Sequence, residues 1–157
     1  MSDVEMSMPL PLDSDGFLRR DCPSCEREFK WYPTPKEEQG TPAREGGYFC
    51  PYCAVQAPEG SWWTKAQIAS AEYQVYDTVV RPELDKLADA TNGVSGGFVD
   101  VSIERNDPQK PPALTESNDM RRVDFDCHPS EPVKVVDEWK EPAHCLVCGT
   151  TATQPDR

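Results

Sequence analysis

The sequence predicts a small α+β fold that is held together by bound metal as well as by a hydrophobic core. Two Cys-Pro-x-Cys motifs, Cys22-Pro23-Ser24-Cys25 and Cys50-Pro51-Tyr52-Cys53, are separated by 24 residues and favour a four-cysteine metal site. Hydrophobic residues make up 37% of the 157 residues and there are 16 prolines, so the core is expected to be modest. An apolar stripe at helical spacing and several short alternating segments predict the helix and the strands.

The number and spacing of the cysteines favour bound metal over disulfide bonds as the cross-link that stabilises this fold. Six of the seven cysteines stand in Cys-x-x-Cys pairs, and the total is odd. The N-terminal residues have neither the basic nor the apolar segment of a secretory signal. No run of about 18 apolar residues is present, so no membrane span is expected. The sequence therefore predicts a cytoplasmic protein that binds Zn²⁺ through reduced thiols.

The two Cys-Pro-x-Cys motifs are expected to form one closed site from Cys22, Cys25, Cys50 and Cys53. Each turn points two thiolates to one face, and two such turns complete a tetrahedron around zinc. The order of turn, strand, loop, strand and turn resembles the zinc-ribbon family over about a fifth of the chain. The resemblance implies a fold and a structural zinc, and it selects no single function.

Residues 16–58 are accordingly predicted to form the first ribbon, after a flexible leader at 1–15. Extended chain is expected at 17–20, 26–32 and 48–49. The stretch between the last two, rich in proline, glycine and charge, is expected to be a loop.

The middle segment, residues 59–107, contains the predicted helix at 64–91. Thr64 and Gln67 fit a capping box, and Pro82 is expected to kink or split the helix. One apolar stripe runs along it, formed by Ile68, Val75, Tyr76, Val79, Val80, Leu84 and Leu87. The stripe either packs on the rest of the chain or meets a partner, and the sequence leaves both open.

A half-buried strand is predicted at 98–104, where Val99, Val101 and Ile103 alternate with polar residues. An extended, proline-rich linker is predicted at 108–120. The strand could pair with the one expected at 121–126, which would join the middle segment to the C-terminal part.

A second metal site is predicted near the C-terminus, in a degenerate ribbon at 121–150 that a short tail at 151–157 follows. Cys127, Cys145 and Cys148 supply three thiolates, and the fourth ligand is open. His128 is preferred, because the proline after it makes a bend plausible, and adjacent residues on a strand point to opposite sides. His144, Glu131, an open position bearing water, and no metal at all are the alternatives.

Neither cluster is expected to be catalytic. Four cysteines fill the coordination sphere of the first zinc, and His128 lacks the helix-borne glutamate two residues later that zinc deaminases carry. A glutaredoxin-like role for Cys50-Pro51-Tyr52-Cys53 is disfavoured, since a matching motif lies upstream and no helix is expected to follow. The sequence therefore predicts a protein that is not an enzyme.

The predicted function is protein–protein contact, as an adaptor or an accessory subunit of a complex. The net charge of −12 would repel phosphates, which disfavours nucleic acid as the partner. The alternative is a regulatory, nucleic-acid-associated ribbon protein, because aromatic and basic residues cluster around the first site. These residues are Arg19, Arg20, Arg27, Phe29, Lys30, Trp31, Tyr32, Tyr48 and Tyr52. The same aromatics could equally form the small core.

Overall fold

A computed structural model describes residues 8–33, 46–92 and 104–152. The chain divides into two units, one made of residues 1–65 with 115–157 and the other of residues 66–114. In the first unit, strand β1 is Leu18–Asp21, β2 is Glu28–Trp31, β3 is Tyr48–Phe49 and β4 is Gln56–Ala57. The pairs β1–β2 and β3–β4 are antiparallel, as expected for short strands joined by tight turns.

The main sheet brings strands from the two ends of the chain together. Strand β5 is Met120–Val123 and β6 is Val133–Val136, and the order across the sheet is β1-β2-β6-β5. The sheet thus joins the two regions that the sequence treats as separate ribbons. The reason is burial, since a two-stranded ribbon is marginal in water and β2 and β6 cover each other's apolar side chains by pairing.

One face of this sheet forms the hydrophobic core. Phe29 from β2 and both Val133 and Val135 from β6 are fully buried there. Trp62 packs on the same face with its ring 5.7 Å from that of Phe29, and it too is fully buried. Most of the aromatic residues expected around the first metal site therefore belong to the core, although Tyr32 is 40% exposed. Core packing is one of the two interpretations that the sequence allowed.

The opposite face carries a row of four cations, one from each strand. The residue pairing places Arg19 beside Lys30, Lys30 beside Lys134, and Lys134 beside Arg122. The side chains of Lys30 and Lys134 are 0% and 2% exposed. Charges so deeply buried require paired acidic groups, and two flanking segments supply them.

Residues 13–15 and 116–119 carry the acids that cover this cation row. Asp13 Oδ2 accepts from Lys134 Nζ at 2.8 Å and from Lys30 Nζ at 3.1 Å. Arg19 pairs with Glu116 at 2.7 Å and with Asp119 at 2.8 Å. Part of the expected leader and of the expected linker therefore packs on the sheet. The sequence interpretation missed this because the acids and the lysines are up to about 120 residues apart.

The second unit contains the predicted helix apart from its first residue, Lys65, and the helix continues past Pro82 instead of breaking. Helix α1 is Lys65–Val75, a single π-helical segment is Tyr76–Val80, and α2 is Arg81–Asn92. The N–H of Arg81 donates to the carbonyl oxygen of Tyr76, five residues earlier. The wider turn accommodates the proline ring and its missing N–H, so the helix changes geometry at that point without ending.

The predicted apolar stripe is largely exposed. Ile68, Val75, Val79, Val80 and Leu87 are between 39% and 54% exposed. The strand predicted at 98–104 and its pairing with 121–126 lie mostly outside the described residues, and β5 pairs with β6. Within the described ranges, no helix is both long and apolar enough to cross a membrane.

Candidate metal centres

The three Cys-x-x-Cys turns share one backbone geometry, and we call them knuckle 1 (residues 22–25), knuckle 2 (50–53) and knuckle 3 (145–148). In each, the N–H of the first cysteine donates to the carbonyl oxygen five residues later. Its own carbonyl oxygen accepts from the N–H four residues later. The bonds are Cys22 N to Arg27 O, 3.1 Å; Glu26 N to Cys22 O, 3.0 Å; Cys50 N to Val55 O, 3.1 Å; Ala54 N to Cys50 O, 3.0 Å; Cys145 N to Thr150 O, 2.8 Å; and Gly149 N to Cys145 O, 2.9 Å.

The residue after each knuckle has a left-handed backbone conformation. The φ angles are 58° at Glu26, 59° at Ala54 and 73° at Gly149. Only glycine adopts this region without a steric cost, so two of the three knuckles hold a strained residue. Identical geometry in three places, kept despite that cost, indicates that the turns serve a common purpose, which is to converge two sulfurs.

Knuckles 1 and 2 bring Cys22, Cys25, Cys50 and Cys53 into one cluster, site 1, whose ligand atoms all lie within 4.8 Å of one another. The Sγ atoms of Cys22 and Cys53 are 3.7 Å apart, and those of Cys25 and Cys50 are 3.8 Å apart. A tetrahedral zinc with Zn–S bonds of about 2.3 Å requires neighbouring sulfurs about 3.8 Å apart. The cluster therefore fits a tetrahedral metal, and all seven cysteines are free of disulfides.

Backbone N–H groups surround the sulfurs of site 1. Cys22 Sγ accepts from the N–H groups of Ser24 and Cys25, both at 3.4 Å. Burial by itself would raise the pKa of the Cys22 thiol, but these donors lower it below its ordinary value. Tyr52 N donates to Cys50 Sγ in the same way, at 3.4 Å. Such donors disperse the charge that four thiolates place around one cation.

Two other thiols of site 1, those of Cys25 and Cys50, have raised pKa values and need a nearby positive charge to ionise. Burial raises the pKa of the Cys25 thiol to about 11 and moves that of Cys50 further above its ordinary value. Both sulfurs would stay protonated at neutral pH without a cation beside them. A bound divalent metal supplies that charge and deprotonates its ligands.

Site 2 consists of Cys127, His128, Cys145 and Cys148, whose ligand atoms also lie within 4.8 Å of one another. Cys127 Sγ is 3.5 Å from Cys148 Sγ, and His128 Nδ1 is 3.5 Å from Cys145 Sγ. Bond lengths of about 2.3 Å to sulfur and about 2.05 Å to nitrogen give a tetrahedral S···N separation of about 3.6 Å. A Cys₃His metal therefore fits this site, with Nδ1 as the imidazole ligand.

The Cys127-His128 pair reaches the site through a turn in place of a fourth knuckle. His128 N donates to Phe125 O at 3.3 Å, and Glu131 N donates to His128 O at 3.1 Å. These two bonds bend the chain so that adjacent residues can face the same point, which an extended strand does not allow. The bend that the sequence interpretation required at this proline-containing stretch is present.

The alternative ligands lie elsewhere. His144 Nδ1 is 3.1 Å from the carbonyl oxygen of Gly149, and His144 forms a backbone bridge with Thr151. Its ring is therefore engaged with knuckle 3 itself. Glu131 is 8% exposed and does not belong to either ligand cluster found among the described residues. Burial raises the pKa of its carboxyl group.

The thiols of site 2 divide into two kinds. Burial raises the pKa of the Cys145 thiol to about 12. Burial would raise that of Cys148 also, but Thr150, whose Oγ1 lies 3.2 Å from the sulfur, helps to lower it to about 6. Sequence reasoning missed Thr150, although it stands two residues after the last cysteine. Thr150 is the one side-chain hydrogen-bond partner that the described residues provide for Cys148 outside the ligand set.

The two sites are joined by backbone hydrogen bonds between knuckles 2 and 3. Phe49 N donates to Leu146 O at 2.8 Å, and His144 N donates to Pro51 O at 2.9 Å. A Cβ on Gly149 would lie 3.0 Å from the ring of Phe49, so the knuckles are in close contact. Because knuckle 2 belongs to site 1 and knuckle 3 to site 2, fixing the backbone of one knuckle also restrains the backbone of the other.

The predicted basic and aromatic cluster around site 1 is mostly engaged within the fold. Phe29, Trp31 and Tyr52 are at most 8% exposed, and Lys30 is fully buried among acids. Arg19 is paired with Glu28, Glu116 and Asp119. Arg20 and Arg27 instead lie over aromatic rings.

Comparison with protein-family models, curated proteins and solved structures finds no match to this chain.

Proposed function

We propose that the chain is a zinc protein without catalytic activity that holds one Zn²⁺ in each cluster and acts by contact with another protein. The observation that carries the metal proposal is the agreement of both sulfur–sulfur and sulfur–nitrogen separations with tetrahedral zinc. The resemblance of the Cys-Pro-x-Cys pair to zinc ribbons supports the same metal. Copper(I) and iron–sulfur clusters are other occupants that sulfur-rich sites select.

A structural role suits both sites better than a catalytic one. Site 1 offers four thiolates, and site 2 offers three thiolates and one imidazole, so each set completes a tetrahedron from the protein alone. A catalytic zinc keeps one position for water. The main sheet has only four residues in each strand, and a fold this short gains much of its stability from such fasteners.

The metal proposal is tested by elemental analysis of the full chain purified without added chelator. We expect close to two zinc per chain and no visible absorption, which iron bound to thiolates would produce. Cys22→Ser should reduce the content to about one, since it removes a ligand from site 1. Less than one zinc per chain in the wild type would overturn the proposal.

His128→Ala and His144→Ala form a matched pair for site 2. The first removes the proposed ligand, so we expect the zinc affinity of site 2 to fall by roughly 10- to 100-fold or more. The second removes a ring that engages Gly149 instead, so zinc content should stay near two. Competition with a chromophoric chelator measures both. Equal losses in the two variants would contradict the ligand assignment.

Protein contact is the function that the exposed apolar stripe supports. Five large apolar side chains on one helical segment are 39% to 54% exposed, and the chain carries a net charge of −12. Scattered apolar residues on a surface need no explanation, but a contiguous stripe favours an interaction. A cytoplasmic location belongs to this proposal, because reduced thiols and structural zinc are typical of that compartment.

The contact proposal is tested by affinity purification and mass spectrometry from a native lysate. Leu87→Ser with Val80→Ser should remove specific partners that the wild type retains. Glu83→Ser is the matched control, since it changes an exposed polar residue of the same helix. A strictly monomeric wild type whose captured proteins are identical in all variants would refute the proposal for this surface.

A further inference from the structure

Arg20 on β1 lies between two tryptophan rings at the edge of the hydrophobic core. Its guanidinium carbon is 4.4 Å from the ring centre of Trp31 and 4.9 Å from that of Trp63. Arg20 is only 9% exposed, whereas Trp63 is 40% exposed. One ring therefore belongs to the core and the other to the surface, and the guanidinium is held between them.

This buried cation has no anionic partner among the described residues. Its Nε is buried and makes no hydrogen bond. Burial lowers the pKa of Arg20 to about 10, which the nearby Tyr48 hydroxyl offsets only in part. Cation–π contacts contribute about 0.5 to 2 kcal/mol each, less than the several kcal/mol of removing an ion from water. The site therefore lacks one partner.

Each of the other described arginines is either paired with an acceptor or exposed to solvent. Arg19, Arg81, Arg105 and Arg122 pair with carboxylates, and Arg121 donates to the carbonyl oxygen of Trp139. Arg27 lies over Tyr52 and Trp139 but is exposed to solvent. The chain carries 28 acidic against 16 basic residues, so acids are plentiful. Arg20 is the one described arginine that is both buried and unpaired.

We infer that Arg20, held between Trp31 and Trp63, is the docking point for a single carboxylate of a protein partner. The inference rests on the proposed function, whose partner it describes by chemistry. A guanidinium binds a carboxylate through two parallel hydrogen bonds, and the two rings beside Arg20 restrict where its guanidinium group can lie. A phosphate would favour several cations, whereas the adjacent Arg19 lies on the opposite face of the sheet and is paired with Glu116 and Asp119. The acidic surface disfavours a polyanion as well.

The carboxylate can come from an Asp or Glu side chain or from a C-terminus, and immobilised random heptapeptides distinguish these sources. One library has free C-termini and no acidic residues. A second has amidated C-termini with Asp and Glu allowed, and a third is amidated without either, so it carries no carboxylate. Surface plasmon resonance with the full zinc-loaded chain should show binding to the first or the second library and none to the third. Equal binding to the third library, or to none, would overturn the inference.

Variants of the chain test whether Arg20 is responsible. Arg20→Gln should weaken binding to the peptide library that the wild type binds by roughly 10- to 100-fold, since a hydrogen bond to a charged group is lost. Arg20→Lys should restore part of it, because the charge remains and the planar fork does not. Arg122→Gln is the matched control and should bind as the wild type does. A purely structural role for Arg20 would lower stability in Arg20→Gln at unchanged peptide affinity, and that result would refute the inference.

Two further comparisons separate this inference from its alternatives. Substitution of Glu37, Glu38 and Glu45 by Gln should leave peptide affinity unchanged; a large gain would show that the chain's own carboxylate occupies Arg20, against the inference. In the affinity purification, one outcome is that the Arg20→Gln variant retains partners that the Leu87→Ser and Val80→Ser double variant loses. That result would refute the carboxylate site at Arg20 and would leave the proposed protein contact through the helix intact.

Discussion

Replacing Asp13 by asparagine is expected to destabilise the fold strongly while leaving its local turn intact. Asp13 Oδ1 accepts from the N–H groups of Asp15 and Phe17 at 3.0 and 2.9 Å, and an amide oxygen can do the same. Oδ2 instead accepts from Lys30 and Lys134, both buried. In Asp13→Asn an NH₂ group, which is only a donor, would face two ammonium groups.

The size of the loss in unfolding free energy depends on the acceptors that remain for Lys30 and Lys134 in the variant. Breaking a buried ion pair by removing one partner costs about 3 to 5 kcal/mol. Lys134 retains Asp15 and Asn118, at 2.6 and 2.7 Å, and Lys30 retains Glu116 and Asp119, at 3.2 and 3.1 Å. These acceptors soften the loss, so we expect the free energy of unfolding to fall by roughly 3 kcal/mol, at the lower end of that range.

Urea unfolding of the zinc-loaded chain at pH 7, followed by tryptophan fluorescence, measures this difference. Asp124→Asn is the matched control, because Asp124 forms an exposed pair with Arg122 and should cost less than about 1 kcal/mol. A loss below about 0.5 kcal/mol in Asp13→Asn, or an equal loss in the control, would refute the reasoning. It would show that the cation row is neutralised without Asp13.

The lowered pKa of Asp13 also predicts how the stability of the fold changes with pH. Burial alone would raise the pKa of Asp13, but Lys134, the N–H of Phe17 and Lys30 lower it from 3.8 to about 2. A lowered carboxyl pKa contributes stability that is fully present above pH 4 and is lost as the pH falls towards 2. The contribution is roughly 2 kcal/mol. Zinc leaves its thiolates in acid as well, so the informative quantity is the difference between wild type and Asp13→Asn, which should shrink below pH 4.

Three further outcomes are expected. Ala54→Gly should raise the free energy of unfolding by about 0.5 to 1 kcal/mol because φ is 59° there, whereas the same change at Ala69, within α1, should lower it by about 1 kcal/mol; urea unfolding of both variants checks the opposite signs. Cys145→Ser should lower zinc affinity at site 1 as well as site 2, because knuckles 2 and 3 are hydrogen-bonded to each other; chelator competition measures it, and an unchanged site 1 would contradict the coupling. Single-stranded DNA or RNA should not bind even at low salt in an electrophoretic shift assay, and salt-sensitive binding would favour the nucleic-acid alternative.

Local features of the molecule could be predicted from the sequence because they are made by neighbouring residues. The Cys-Pro-x-Cys pairs indicate turns that are closed by hydrogen bonds between residues four and five positions apart, and knuckles 1 and 2 have that form. Strand β5, Met120–Val123, overlaps the strand expected at 121–126. The small α+β class with antiparallel sheets is likewise confirmed.

Other features depended on pairs far apart in the chain. The acids that cover the cation row looked like a flexible leader and a linker, because nothing near Asp13 in sequence shows that Lys134 needs it. The fourth ligand of site 2 could be either of two histidines, each adjacent to a cysteine. The turn after Phe125 orients His128 toward the sulfurs, and the bond to Gly149 engages His144 elsewhere.

The sequence by itself determined that this protein has cysteine turns that could hold a metal, short strands and one long helical segment, because each follows from the spacing of a few adjacent residues. Only the tertiary structure decided that β2 and β6 share one sheet, that two lysines are buried among four acids, and that Arg20 remains between two rings without an acid. The physical reason is that burial is a property of the assembled chain. A charge or an apolar face acquires its energetic cost, and hence its required partner, only when distant segments exclude water from it.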